Sequence, residues 1–376
     1  KDRHNLALSN TPFFPGFWPV TLSQNRPQTS LPSHIMGEDI PTNLHPFLAE
    51  FFKNYITVGM INDRGLTGLT CYCLRQKDAA SVSADEIHKL RQKLLAVKIP
   101  KVASDGNRKM IANEVRSLEA VRASFESLPG DASARRNFLP TVDFEKSSSK
   151  EDDANSKVSW FVMGTVEPSI TLTNFFTELK KVADDAMLEY FRAHVFLESL
   201  HMLEHLHNTC GVAHGDFYQN NLLVEIPPKE ASDRRHSFPP IRVIDFDRAV
   251  YGNGNEEAKA SALRRDLTGM FKAVNDLLPP KEELAYARAQ DGRSERLRRW
   301  DNELQVYNSI VAEVPSVVKT GIAEVRDALE AIAIGVREEA GADCVRKFYD
   351  AADRIAEMGV TVANKRLRHA VEECQS

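Results

Sequence analysis

The stretch HGDFYQNN, His214 to Asn221, sets a histidine, a carboxylate and amides in one short segment. Before it runs the helical pattern AHVFLESLHMLEHLHNTCGVA, and after it an apolar, strand-like LLV. His214, Asp216 and Asn221 stand as His-x-Asp-x-x-x-x-Asn, and 24 residues after Asn221 a second carboxylate, Asp245, closes the apolar run in VIDFD. Carboxylate and amide oxygens are the hard ligands that Mg²⁺ prefers, and this ion is usually held by one or two carboxylates together with substrate phosphates. If Asn221 and Asp245 hold metal, Asp216 is left to face an incoming hydroxyl and take its proton. Upstream, LLAVKIP places Lys98 in an apolar strand, where a charged side chain costs free energy unless it finds a partner. Sixteen residues further on, Glu114 lies in IANEVRSLEAV on the helix face that also carries Leu118, so a strand lysine and a helix glutamate can pair.

Two kinds of scaffold are needed to bring these groups together. From Tyr55, the runs YITVGMI, GLTCYCL and KLLAVKIP, separated by turn and charged segments, predict a small antiparallel sheet. In RKMIANEVRSLEAVRASFESL, Ile111, Val115, Leu118 and Val121 recur at three- and four-residue spacing, which predicts a helix. NFLPTVDFE and VSWFVMGTVE predict two more strands around the polar loop SSSKEDDANSK. After Pro168 the pattern is mostly helical. Only NLLVEI and IRVIDFD read as strands there, joined by the long Pro-bounded loop PPKEASDRRHSFPP. VVKTGIAEVRDALEAIAIGVREEA and CVRKFYDAADRIAEM read as amphipathic helices. The expected organisation is α+β: an N-terminal extension over residues 1–50, rich in Pro, Ser and Asn, a sheet-rich lobe over 51–166 and a helical lobe over 167–376.

Composition bounds the partners. The chain has 376 residues and a net charge of -5, with acids and bases mixed along it, so no electrostatic footprint points to nucleic acid or a membrane surface. No apolar run approaches the ~18 residues of a membrane-spanning helix. Five sparse cysteines do not describe a secreted disulfide framework, and an intracellular, cytoplasmic setting fits them better. Cys71 and Cys73 in LTCYCL read as strand residues rather than zinc ligands. His201 and His205 stand at i and i+4 without a third ligand, and are expected on an ordinary helix surface. The terminal KRLRHAVEECQS is expected to present a solvated helix face.

Taken in order, these motifs resemble those of the protein kinase-like superfamily. AVK matches the end of the Val-Ala-Ile-Lys strand, HGDFYQNN matches His-Arg-Asp-Leu-x-x-x-Asn, and DFD matches Asp-Phe-Gly. In RRDLTGMFKAVNDLL, Asp266 followed by Gly269 is similar to the buried aspartate that opens the central helix of the kinase helical lobe and braces the catalytic loop. The readable match spans about residues 55 to 278. HGD, with Gly215 where arginine is usual, is more similar to the fungal protein kinase-like and small-molecule phosphotransferase branches than to ordinary Ser/Thr/Tyr kinases.

The resemblance implies a bilobal fold, a five-stranded antiparallel N-lobe with one helix above a mostly helical C-lobe, with ATP and Mg²⁺ between them. It implies catalytic roles for Asp216, Lys98 and Glu114, and metal binding by Asn221 and Asp245. Nucleotide contacts are implied for Gly65, Gly68, Ala96, Lys98, Met163, Gly164, Val166 and Leu223. Of these, Ala96 and Leu223 would sandwich adenine, and the backbone from Met163 to Val166 would hydrogen-bond it. His214 is implied as a packed support of the loop, and Phe246 as a core residue stacking toward Leu118 and His214.

Departures from the family pattern temper the functional reading. DRGLTG keeps Gly65 and Gly68 of Gly-x-Gly-x-x-Gly but has Asp63 in first place, where a carboxylate repels phosphate. Asp247 replaces the glycine after Asp-Phe, Tyr218 stands where Ser/Thr kinases carry a lysine, and only 21 residues separate Asp245 from Asp266, with no Ala-Pro-Glu. The implied activity is transfer of phosphate to a hydroxyl, a protein serine or threonine first and a small-molecule alcohol second. The alternative is a pseudokinase acting as a nucleotide-binding or scaffold protein.

Overall fold

The computed structural model describes residues 48–62, 68–81, 87–102, 104–127, 135–145, 157–251, 256–277, 294–313 and 321–375. Residues 1–47 of the expected extension, residues 63–67 with Asp63 and Gly65, and residues 147–156 of the polar loop lie outside them.

Chain order begins with a short helix, α1 (Ala49–Asn54), and the pair β1 (Tyr55–Asn62) and β2 (Gly68–Arg75). Two short helices follow, α2 (Gln76–Ala79) and α3 (Ile87–Arg91), where only turn and charged segments are expected. Each is too short to show a helical period, and both are held by burying Ala79, Ile87 and Leu90. Next come β3 (Leu95–Pro100), the long helix α4 (Asp105–Ser127), β4 (Thr141–Phe144) and β5 (Phe161–Gly164). The sheet order is β1-β2-β3-β5-β4, with every neighbouring pair antiparallel. Period-two alternation sorts β3 between two environments. Val97 and Ile99 pack outward with Cys71, Cys73, Trp160 and Phe51, while Ala96 faces the core that contains α4. Lys98, in step with Ala96, is thereby aimed at α4.

Beyond β5 lie α5 (Leu172–Leu179) and α6 (Asp185–Glu204), started by Thr171 and Asp184, whose side chains accept from the N–H of Asn174 and Met187. α6 is buried around most of its circumference and opens into a π-turn over His205–Cys210. That burial corrects the surface expectation for the histidines. His205 is buried, with Nε2 2.9 Å from Ser124 Oγ and its ring stacked on Phe125 at 4.5 Å. His201 alone fits the expectation, half-exposed and 2.8 Å from Glu330.

The strands β6 (Val212–Ala213), β7 (Leu222–Val224), β8 (Ile241–Val243) and β9 (Val250–Tyr251) form two ribbons, β6 with β9 and β7 with β8. Only β7 and β8 are foreseen, since two-residue strands show no alternation. Helices α7 (Glu256–Asn275), α8 (Glu295–Glu313), α9 (Ile322–Glu338) and α10 (Gly341–Gln375) complete the helical half.

α10 has two attachments. Near its start Phe348 packs on Phe191 at 4.8 Å and on Phe175 and Phe238, deep in the helical half. Further on, Gly359 lies against Pro168, and Arg366 donates to the Met60 carbonyl of β1 at 2.6 Å. Leu367, Ala370 and Val371 then close a cluster with Ile56, Val58, Leu74 and Leu90 of the sheet half. The expected solvated face is therefore only one side of this helix, carried by Arg368 and His369. The opposite side crosses from one half of the protein to the other.

Candidate active site

Lys98 reaches inward from β3, and Gly68 on β2 leaves its stem room, since a Cβ there would lie 3.1 Å from Lys98 Cε and 2.9 Å from the Ile99 carbonyl oxygen. Lys98 Nζ stands 2.6 Å from Glu114 Oε2 and 2.5 Å from Asp245 Oδ1. The other oxygen of Glu114 accepts the backbone N–H of Phe246 at 3.1 Å. Strand, helix and the segment after β8 thus meet at one ammonium group. Burial by itself pushes Lys98 down, but the charges of Glu114 and Asp245 more than reverse that and raise its pKa. Burial raises Glu114 to about 7 against the pull of Lys98. Burial would likewise raise Asp245, yet the charge and hydrogen bond of Lys98 hold it below its ordinary value, so it is a carboxylate at neutral pH.

Asp245 is the one non-glycine residue with positive φ among the described residues, at φ 68° and ψ 68°. Such a backbone costs on the order of 1–3 kcal/mol and persists only where its surroundings impose it. Here Lys98 holds the side chain, and the next residue, Phe246, is buried with its ring 4.6 Å from that of His214. Asn113 of α4 donates to the Ala249 carbonyl at 2.8 Å and ties down the far side of the segment.

The His214–Asn221 loop is suspended from Asp266. Its carboxylate accepts the N–H of His214 at 2.8 Å and of Gly215 at 2.7 Å, with His207 Nε2 at 2.9 Å. The side chain of this π-turn histidine is 6% exposed, and its role has no signal in the spacing. Asp266 is buried as expected but does not open its helix. α7 starts at Glu256, ten residues earlier, because EEAKASALRR is made of good helix formers. His214 is fully buried, with Nε2 3.0 Å from the Ile244 carbonyl. Asn221 Nδ2 donates to the Asp216 carbonyl at 2.8 Å and reaches Asp216 Oδ2 at 3.3 Å. Arg248 Nη1 lies 3.7 Å from Asp216 Oδ1, a neighbour that no motif indicates.

The apolar candidates fall in two clusters. Ala96 pairs with Met163 across β3 and β5, while Val166 packs with Leu223, Leu139 and Ile244. Their exposures are 3% for Ala96, 8% for Met163, 2% for Val166 and 3% for Leu223, so protein atoms already cover this part of the junction. The amide of Gly164 donates to the Pro140 carbonyl at 2.8 Å, which commits one of the donors expected to meet adenine. Gly65 lies outside the described residues.

Hard oxygen donors from Asp245 and Asn221 suit Mg²⁺, and Asp245 is ionised. No group of three or more His, Cys, Asp or Glu side chains among the described residues is placed to hold a metal alone. Substrate phosphates would have to complete the shell, as is usual for this ion.

No protein-family profile matches the chain, and no curated protein matches it. Among solved structures, the crystal structure of the BubR1 kinase domain superposes with a TM-score of 0.49 and 14% identity, over 79% of this chain and 85% of that one. The protein has an α+β fold: an antiparallel five-stranded sheet joined through β5 to a helical half, with Lys98, Glu114 and Asp245 linked where the two meet. Among the described residues, no helix is long and apolar enough to cross a membrane.

Proposed function

We propose that the protein is an ATP- and Mg²⁺-dependent phosphotransferase that carries the γ-phosphoryl group to a hydroxyl. The observation behind this is the linked set Glu114, Lys98 and Asp245 together with Asp216 tied to Asn221. Lys98, fixed by Glu114, positions the α- and β-phosphates. Asp245 and Asn221 would hold Mg²⁺, which when bound would neutralise phosphate charge. Asn221 spends its nitrogen on Asp216 and offers its carbonyl oxygen. Asp216 orients the acceptor hydroxyl and takes its proton as the oxygen bonds to the γ-phosphorus and the bridging bond to ADP breaks. A protein serine or threonine is the first acceptor class and a small-molecule alcohol the second, in an intracellular setting.

A second reading, a pseudokinase or scaffold, is favoured by the low exposure of Ala96, Met163, Val166 and Leu223, the residues expected to line an adenine site. Thermal shift separates the two. Phosphotransfer requires stabilisation by ATP that depends on Mg²⁺ and is lost in Asp245→Ala, and turnover that collapses in Asp216→Asn. No shift at millimolar nucleotide supports the scaffold.

A further inference from the structure

Resting on that reading, we infer that Arg248 is a positioning residue that grips the γ-phosphate and so completes the charge balance of the site. The site gathers carboxylates at Asp216 and Asp245, and a triphosphate adds several more negative charges. Lys98, the cation on the sheet side, is buried between Glu114 and Asp245. Arg248 supplies positive charge on the other side, next to the group that would receive the acceptor's proton.

Its location follows from the backbone. The turn Phe246–Arg248 begins directly after Asp245 and packs on the catalytic loop at Gly215. A Cβ on Gly215 would stand 2.3 Å from the Arg248 carbonyl oxygen, and Gly215 has φ 79°. Only glycine permits that approach. The guanidinium is brought to 3.7 Å from Asp216 Oδ1, while its side chain stays 50% exposed. Its charge also acts on Asp245, although less than that of Lys98. At 3.7 Å the contact with Asp216 is an ion pair rather than a close hydrogen bond, so the planar fork keeps its donors for an oxyanion. An arginine beside both the proton acceptor and the metal carboxylate lies where the terminal phosphate must sit for transfer.

The test is calorimetric binding of Mg²⁺ with β,γ-imido-ATP and of Mg²⁺ with ADP to wild type, Arg248→Ala, Arg248→Lys and Asp245→Ala. Arg248→Ala is expected to weaken the imido-ATP by about tenfold to a hundredfold, the worth of a lost charge-assisted hydrogen bond, and ADP by less than about twofold. Arg248→Lys should recover part of the difference. If Arg248→Ala binds both nucleotides as wild type does, or loses both equally, the role of the arginine is overturned. If Asp245→Ala loses both while Arg248→Ala loses neither, the phosphotransfer reading stands without it. If wild type binds neither, both ideas fall. Arg248→Gln, which keeps the length and polarity of the half-exposed chain, replaces the alanine variant should that one not fold.

Discussion

Glu114 divides its carboxylate between two partners: one oxygen meets the ammonium of Lys98, and the other accepts the amide N–H of Phe246. A single buried side chain thereby couples β3, α4 and the Asp245 segment. Removing it by Glu114→Ala leaves Lys98 to Asp245 alone and the buried Phe246 amide without its acceptor, at a cost of about 1–3 kcal/mol. Urea unfolding should show that loss, together with loss of any Mg²⁺-ATP thermal shift. Glu114→Gln, which can still accept from Phe246, should lose less stability. Equal unfolding midpoints for Glu114→Ala and wild type would remove the coupling argument.

Placing an arginine at position 215 should damage this protein. Gly215→Arg must place a Cβ against the Arg248 carbonyl oxygen and adopt φ 79°. The left-handed backbone alone costs on the order of 1–3 kcal/mol. A lower thermal midpoint and weaker nucleotide binding are expected, and a variant as stable as wild type would show that the close approach is not obligatory.

Acid sensitivity should report on His194, buried on α6. Burial holds His194 below its ordinary 6.5, with a smaller opposing pull from Glu198; its Nε2 bonds the Pro239 carbonyl and its Nδ1 finds no partner. Below 6.5 the unfolded chain takes up a proton that the native ring resists. The stability associated with the neutral ring is therefore present above that pH and is lost as pH falls through it, at up to about 1.4 kcal/mol per pH unit. Unfolding free energies measured from about pH 8 to about pH 5 should fall less steeply in His194→Gln. Parallel curves would assign the acid sensitivity to other groups.

The far end of α10 is structural for the sheet half. Leu367→Asp puts an unpaired charge among Ile56, Val58 and Leu90, a change expected to cost about 3 kcal/mol or more. Hydrogen exchange should rise in β1, β2 and α3 while α6 and α9 stay protected. Uniform loss of protection would mean that the two halves unfold as one unit; no loss anywhere would mean that the contact contributes little.

Legibility in the sequence follows from how local each signal is. Lys98, Glu114, Asp216, Asn221 and Asp245 combine telling side-chain chemistry with fixed order, and the chain brings Lys98 to Glu114 and Asp245, and Asn221 to Asp216. The five strands of the main sheet are each four or more residues long and lie in runs bounded by turn or charged segments, enough to be read. α2, α3, β6 and β9 are shorter than the periods that would reveal them. Arg248 has no distinctive spacing; it matters because Gly215 lets two loops touch. His207 resembles any helix histidine until the π-turn aims it at Asp266. The start of α7 escapes because Asp266 marks a contact, not a helix end. The double attachment of α10 is hidden for another reason: Leu367 and Val58 are some 300 residues apart, and nothing local in either segment names the other.

That separation also has a consequence for biosynthesis. The apolar patch of Ile56, Val58, Leu74 and Leu90 leaves the ribosome long before Leu367, Ala370 and Val371 exist to cap it. At ~5–20 residues per second, the delay is roughly 15–60 s. Throughout that interval the nascent sheet carries a sticky, uncapped flank, which makes it a natural client for chaperones and a point where slowed translation would promote aggregation.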